Sequence, residues 1–282
     1  MRTPHVYAPG TLREALELKA TEGRALWVLG GGTDLVPGIR AGTSSAERLL
    51  DLSRIPDLDR IEDRADEIGI GPRVTHAMLA DSPVAREHAP ILAEACGSVG
   101  SVQIRNLGTV AGNLANASPA ADSIPPLHVL RATCVLESRA GRREVAVEEF
   151  CTGPGETCAA ADEVLTEIRI PKTPPGALWF YRKLGQRLAM AIAKVSVAFL
   201  GLERGGVLED VCIALGAVAP TVVGAPATAR FLQGKRLDRA TIAKAGRLAE
   251  AEARPITDVR STADYRRRMV GVLLSKGLRE LG

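Results

Sequence analysis

The stretch RNLGTVAGNLANASPAAD, Arg105 to Asp122, lies well inside a chain of 282 residues yet carries almost no bulk. Gly, Ala, Ser, Thr and Asn make up most of it. A main chain stripped of side chains allows something to come close, whether another segment or a bound molecule. Two readings follow from the residues. The alanines fit a helix packed tightly against a neighbour. The polar groups of Thr109, Asn113, Asn116 and Ser118 would then need buried partners, and an extended polar ligand lying along Gly108, Thr109, Ala111, Gly112 and their successors would supply them. Asn113 can donate and accept, whereas the carboxylate of Asp122 only accepts and suits a ribose or ribityl hydroxyl.

A second bare segment stands upstream. The apolar run Ala25 to Leu29 reads as a buried strand, and Gly30, Gly31 and Gly32 break it at once. In GGGTDL, Gly30 to Leu35, unhindered N–H groups can converge on an anion such as a phosphate or pyrophosphate. Thr33 adds a hydroxyl donor. Asp34 is awkward beside a phosphate and is expected to accept from a hydroxyl or a backbone N–H. The spacing is neither that of a dinucleotide-binding G-x-G-x-x-G nor that of a Walker loop, and a triple glycine after a strand is by itself more often only a tight turn.

The remainder reads as alternating helices and strands. Leu12, Ala15, Leu16 and Lys19 follow the N-cap candidate Thr11, with Gly23 as the stop. A strand precedes a helix opening near Thr75, and PILAEACGSV gives a further helix. From Ala132 to Ile170 the pattern is that of antiparallel strands. Pro171, Pro174, Pro175 and Gly176 mark the best internal boundary. Beyond it lie strand-like runs, a turn at Gly205 and Gly206, and a C-terminal helix expected to present Tyr265, Met269, Val270, Val272 and Leu273 on one face. Its DYRRRM segment reads as a solvated basic face or a contact for a partner subunit.

Composition narrows the function classes. Thirty-six Lys and Arg against 33 Asp and Glu, dispersed along the chain, do not make a nucleic-acid surface, and 3% aromatic residues argue against stacking platforms for single strands. No apolar run is long enough to span a bilayer. The N-terminal MRTPHVYAPGTLREAL lacks a signal-peptide pattern, so a cytoplasmic location is expected. Cys96, Cys134, Cys151, Cys158 and Cys212 contain no C-x-x-C pair and read as structural thiols. His5, His76 and His128 fall in separate elements without metal-like spacing.

Taken in order, GGGTDL (Gly30–Leu35), TVAGN (Thr109–Asn113) extended by LANASPAADS, EVLTEIRIP (Glu163–Pro171) and YRKLGQRLAMAIAKVSVA (Tyr181–Ala198) resemble the FAD-binding medium subunits of the molybdenum hydroxylases, the family of carbon monoxide dehydrogenase and xanthine dehydrogenase. The resemblance covers nearly the whole chain. It implies an α+β fold, with a two-lobed FAD-binding domain of the PCMH type over residues 1–172 and a C-terminal domain with an antiparallel sheet and helices over residues 177–282. It implies an FAD held by Gly30, Gly31, Gly32, Thr33, Asp34 and Leu35 around the pyrophosphate, and by Thr109, Gly112, Asn113, Ser118 and Asp122 of the second loop. Leu165 falls where the family packs an apolar residue near the flavin, and Lys183 where it places a lysine at the ring edge; a cation there stabilises the reduced ring. Tyr181 either stacks near the flavin or sits in the core at the domain joint. Gly30 replaces the family's common Ala, and Ala111 replaces the first glycine of a usual pair, which matters if that site needs positive φ.

The implied function is that of an electron-transfer oxidoreductase subunit. Electrons would pass from the iron–sulfur clusters of a small partner, which receives them from a large molybdopterin subunit, to NAD+, oxygen or a quinone, in a dimer of heterotrimers. Two other classes stay open: a free-standing flavin oxidoreductase with its own substrate, and a nucleotide-binding scaffold without redox change.

Overall fold

The computed structural model describes residues 3–187 and 189–282; residue 188, within the matched segment Tyr181–Ala198, and the first two residues of the N-terminal stretch lie outside the described residues. Among the described residues, three larger sheets and a two-stranded ribbon, Cys151–Gly153 with Glu156–Thr157, organise the molecule. The first is wholly parallel, with strands His5–Tyr7 and Leu26–Leu29 on either side of Arg48–Asp51. Helices Leu12–Glu22 and Leu35–Ala41 belong to its crossovers. Thr11 caps the first of these by accepting from the Glu14 N–H, and Gly23 ends it at φ 56°. As its spacing indicates, Ala15, Leu16 and Lys19 turn inward. The buried Lys19 ammonium donates to the carbonyls of Gly23 and Leu26, and burial lowers its pKa.

The run before the glycine loop is not the buried strand expected. Leu26–Leu29 is an edge strand in which only Leu26 is fully enclosed, while Trp27 and Val28 are 44% and 37% exposed. An edge strand has a neighbour on one side only, and here its free side borders a cavity.

The second sheet is antiparallel, in the order Ile61–Asp63, Glu67–Ile70, Val164–Pro171, Thr133–Ser138 and Gly141–Ala146. Its central strand alternates, with Val164, Thr166, Ile168 and Ile170 turned inward. Short helices between residues 76 and 129 pack on Ile168 and Ile170 and build the largest core, while Val164 joins a separate core with Ala15, Leu26 and Leu50.

The third sheet, Leu178–Leu184, Val195–Arg204, Val207–Gly216 and Val223–Gly224, is antiparallel and buried on both faces. Phe180, Val197, Phe199 and Leu215 meet the helices Arg239–Glu252 and Ala263–Leu281, whereas Tyr181, Ala198 and Ala214 join the core beneath helix Ile124–Val129. The C-terminal helix is rotated from the face read in its sequence. It buries Arg266, Val270, Gly271, Leu274, Gly277 and Leu278, and leaves Tyr265 and Val272 more than 40% exposed. Glycines set this rotation: a Cβ on Gly277 would stand 2.4 Å from the Phe180 ring, and one on Gly246 of the adjoining helix 3.1 Å from the Gly271 carbonyl. Arg266 is therefore no part of a solvated basic face; it is 5% exposed and donates to the Ala217 carbonyl and to Asp258. Among the described residues no helix is long and apolar enough to cross a membrane.

Candidate functional site

The two bare segments touch. A Cβ on Gly31 would lie 1.8 Å from the Leu107 carbonyl oxygen and 2.8 Å from the Gly108 Cα, so main chain packs on main chain at this point. Gly32 turns the loop at φ 69°, a conformation that side chains resist. Beside this junction the segments wall a single cavity of about 810 Å³. The missing bulk thus has two causes, the approach of one loop to the other and the space they enclose.

The first loop faces that space with donors. Among the described residues, the N–H groups of Gly31, Gly32, Thr33, Asp34 and Leu35 meet no acceptor; the first bonds directed back into the chain are Val36 N–H to the Gly32 carbonyl and Gly38 N–H to the Asp34 carbonyl, both 3.0 Å. Successive unspent N–H groups around a left-handed glycine form a concavity suited to an anion, and a diphosphate is a fitting occupant. Asp34 precedes helix Leu35–Ala41 without capping it through its side chain. Its exposed carboxylate is still crowded by protein atoms, and desolvation raises its pKa.

The second segment folds into short helices, Val102–Leu107 and Val110–Ala115. Thr109 is 5% exposed and uses its hydroxyl to accept from the Gly112 N–H at 3.0 Å, which fixes the start of the second helix. His76 N–H to the Gly108 carbonyl and Val110 N–H to the Val74 carbonyl, each 3.0 Å, stitch the segment to its neighbour. Asn113 accepts from the buried Ser123 hydroxyl at 2.7 Å, so its amide nitrogen remains for a ligand. Ser118 accepts from the Ala120 N–H. Ala111 sits inside the helix with negative φ and packs into the main core, so its replacement of a glycine imposes no strain.

Asp122 closes the cavity floor at 7% exposure. The Tyr181 hydroxyl donates to one carboxylate oxygen at 2.9 Å, and Lys183 donates to the other at 2.5 Å and to the Ser98 carbonyl at 3.3 Å. Burial raises the Asp122 pKa, against the opposing pull of Lys183 and Tyr181. Tyr181 is 3% exposed and belongs to the core at the joint, bound to Asp122 rather than laid open to a ring.

All the expected residues of both loops, from Gly30 to Leu35 and from Thr109 to Asp122, border the cavity. Leu165 and Lys183 do not: Leu165 is half-buried against the main core, and Lys183 reaches the cavity through Asp122. Sequence reasoning missed His76, which lines the cavity, and the rim residues Trp27, Val28, Met190 and Ile192. Nothing in the spacing of His76 marks it, because its position depends on the stitch between residues 74–76 and 108–110. A second cavity of about 570 Å³, lined by His128, Cys212 and Arg230 among others, is far less rich in main-chain donors of this kind.

The chain is similar to known proteins over nearly its whole length. Residues 2–173 match the family described as FAD binding domain in molybdopterin dehydrogenase, and residues 179–281 match the CO dehydrogenase flavoprotein C-terminal domain. The chain is 32% identical to the carbon monoxide dehydrogenase medium chain of Hydrogenophaga pseudoflava, over 96% of this chain and 94% of that one. It is 30% identical to the nicotine 6-hydroxylase medium subunit of Paenarthrobacter nicotinovorans, over 100% and 99%. A solved structure of carbon monoxide dehydrogenase from H. pseudoflava superposes with a TM-score of 0.95 at 32% identity, covering 99% of this chain and 97% of its counterpart. On these matches the chain belongs to the FAD-binding medium subunits of the molybdenum hydroxylases, an oxidoreductase family.

Proposed function

We propose that the chain holds FAD between an electron donor and an electron acceptor within a larger molybdenum hydroxylase. In this reading the donor is a small iron–sulfur subunit supplied by a large molybdopterin subunit, the acceptor is NAD+, oxygen or another oxidant, and the assembly is a dimer of heterotrimers. Residues 1–172 form the FAD domain and residues 177–282 the C-terminal domain. The observation that carries the reading is the row of five N–H groups, Gly31 to Leu35, unpaired among the described residues, on a loop that lines a cavity shared with the second loop.

The residues present fit the cofactor. Gly31 to Leu35 would hold its diphosphate. The free amide of Asn113 and the carboxylate of Asp122 would meet hydroxyls or ring heteroatoms, while Gly112 makes way for the capping Thr109 hydroxyl, which a Cβ there would approach to 2.7 Å. When bound, FAD supplies the capacity to take up and release electrons. The protein orients it, excludes water with Trp27, Val28, Met190 and Ile192, and fixes the Asp122 carboxylate through Tyr181 and Lys183.

A free-standing oxidoreductase would need acid or base groups free to meet a substrate. Of the titratable side chains bordering the cavity, the Asp122 carboxylate is held by Tyr181 and Lys183, His76 is engaged at Nδ1 by Cys96 and kept neutral by burial, and Asp34 lies beside the anion-binding N–H groups. The test is expression with and without the two partner subunits. The chain alone is expected to bind one FAD and to show no turnover of an aromatic or heterocyclic substrate, with turnover appearing in the complex. Turnover by the isolated chain refutes the proposal.

A further inference from the structure

His76 lies at the junction of the two loops, and the reading just given assigns it no task. It opens helix His76–Asp81, and its own N–H is bonded to the Gly108 carbonyl. Its side chain is held between the second loop and helix Pro90–Gly97: Nδ1 lies 3.5 Å from Cys96 Sγ, while a Cβ placed on Gly108 would meet the ring at Cδ2. That same Cβ would stand 3.1 Å from the Thr33 hydroxyl, so His76 and Thr33 flank Gly108. The ring atom next to Cδ2 is Nε2. It has no protein partner among the described residues and is not among the fully sealed polar atoms, although His76 is 2% exposed, and the residue lines the cavity.

The geometry points to His76 as an unassigned ligand of the FAD diphosphate, with Nε2–H adding a neutral side-chain donor to the row of N–H groups from Gly31 to Leu35. The tautomer follows from Cys96. Burial pushes the Cys96 thiol far above its ordinary range, so it keeps its proton. Sulfur accepts hydrogen bonds weakly and imidazole nitrogen accepts them well. The pair therefore settles as S–H donating to Nδ1, which places the ring proton on Nε2. Burial, aided by the charge of Arg105, lowers the His76 pKa to about 4, so the ring is neutral at physiological pH. Cys96 in this account is a positioning residue that acts through the ring.

The inference rests on the proposed FAD site, and the test separates the two. Affinities for FAD, ADP and riboflavin are measured by calorimetry on the full chain, wild type against His76→Leu and His76→Gln, with thermal melts of each apo form. Loss of one hydrogen bond to a charged acceptor should weaken FAD and ADP about tenfold or more in His76→Leu. Riboflavin, which lacks phosphate, should bind as in wild type, and the amide of His76→Gln should restore most of the loss. Unchanged FAD affinity in His76→Leu, or an equal loss for riboflavin, overturns the assignment. Wild-type chain that binds no FAD at all instead overturns the parent reading. A measurement that needs no substitution is the 15N-histidine spectrum of the wild-type chain with FAD: a protonated Nε2 and a bare Nδ1 are expected, and the opposite tautomer refutes the role given to His76.

Discussion

Replacing Gly31 by Ala places a methyl group where the two loops share no space. Its Cβ would lie 1.8 Å from the Leu107 oxygen, 2.5 Å from the Leu107 carbonyl carbon and 2.8 Å from the Gly108 Cα. All three are main-chain atoms, so no side chain can turn away to make room. The loops must separate by on the order of 1.5 Å to restore ordinary contact. Overpacking of this kind costs about 1–3 kcal/mol, and the backbone obstacle places Gly31→Ala at or above the upper end. Restoring the loop geometry on binding would then raise the FAD Kd about a hundredfold. Gly30→Ala is the control. There the Cβ meets the Thr109 hydroxyl at 2.9 Å, a side-chain atom rather than main chain; because that hydroxyl caps helix Val110–Ala115, the cost should be about 1 kcal/mol, below that of Gly31→Ala. Urea unfolding of the apo chains and FAD titration of each variant give both quantities. Gly31→Ala with wild-type stability and wild-type affinity would refute the claim that the loops are packed main chain to main chain.

Other expectations follow from single contacts. Thr109→Val keeps the shape of the side chain but removes the cap of helix Val110–Ala115; it should cost about 1 kcal/mol in urea unfolding and weaken FAD binding, since Gly112 and Asn113 sit on that helix. Gly277→Ala drives a methyl group into the Phe180 ring and should lower stability by about 1–3 kcal/mol, while leaving the FAD affinity of the folded chain unchanged. Asp258 accepts from the Arg260 N–H and from Arg266, and these hold its carboxyl at about 2, below the usual carboxylate range. A depressed acid stabilises the fold above its unfolded pKa and ceases to do so as pH falls through the folded value. Asp258→Ala should therefore unfold at lower urea than wild type at pH 7, with the gap closing as the pH is lowered from about 4 towards 2; a gap that persists undiminished would exclude ionisation as its source.

The parts of the fold read correctly from the sequence are those governed by local chemistry. Thr11 and Thr75 cap helices where their hydroxyls precede an apolar period, and Ala132 to Ile170 pairs antiparallel because its alternation has one buried face. A short apolar run looks alike in a sheet centre and at an edge, so Ala25 to Leu29 reads as buried although Trp27 is exposed beside the neighbouring cavity. The C-terminal helix turned a different face inward because Gly271 and Gly277 admit close contacts that a count of large apolar residues does not register. In the site, the glycine loops were visible because an absence of side chains is itself a pattern. Histidine 76 was not, since its value lies in the pairing of residues distant along the chain. Lys183 was placed by resemblance at a ring edge; here its ammonium is engaged by Asp122 and the Ser98 carbonyl, contacts that no motif encodes.

The central claim is that Gly30–Leu35 and Thr109–Asp122 form the two walls of one FAD site. A crystal structure of the full chain grown with FAD tests it most directly. The diphosphate should lie against the N–H groups of Gly31 to Leu35, with the rest of the molecule running along Gly112, Asn113 and Asp122. Cofactor density in the cavity beside His128 and Arg230, or a chain that crystallises from saturating FAD with the loop cavity filled by its own side chains, would contradict it.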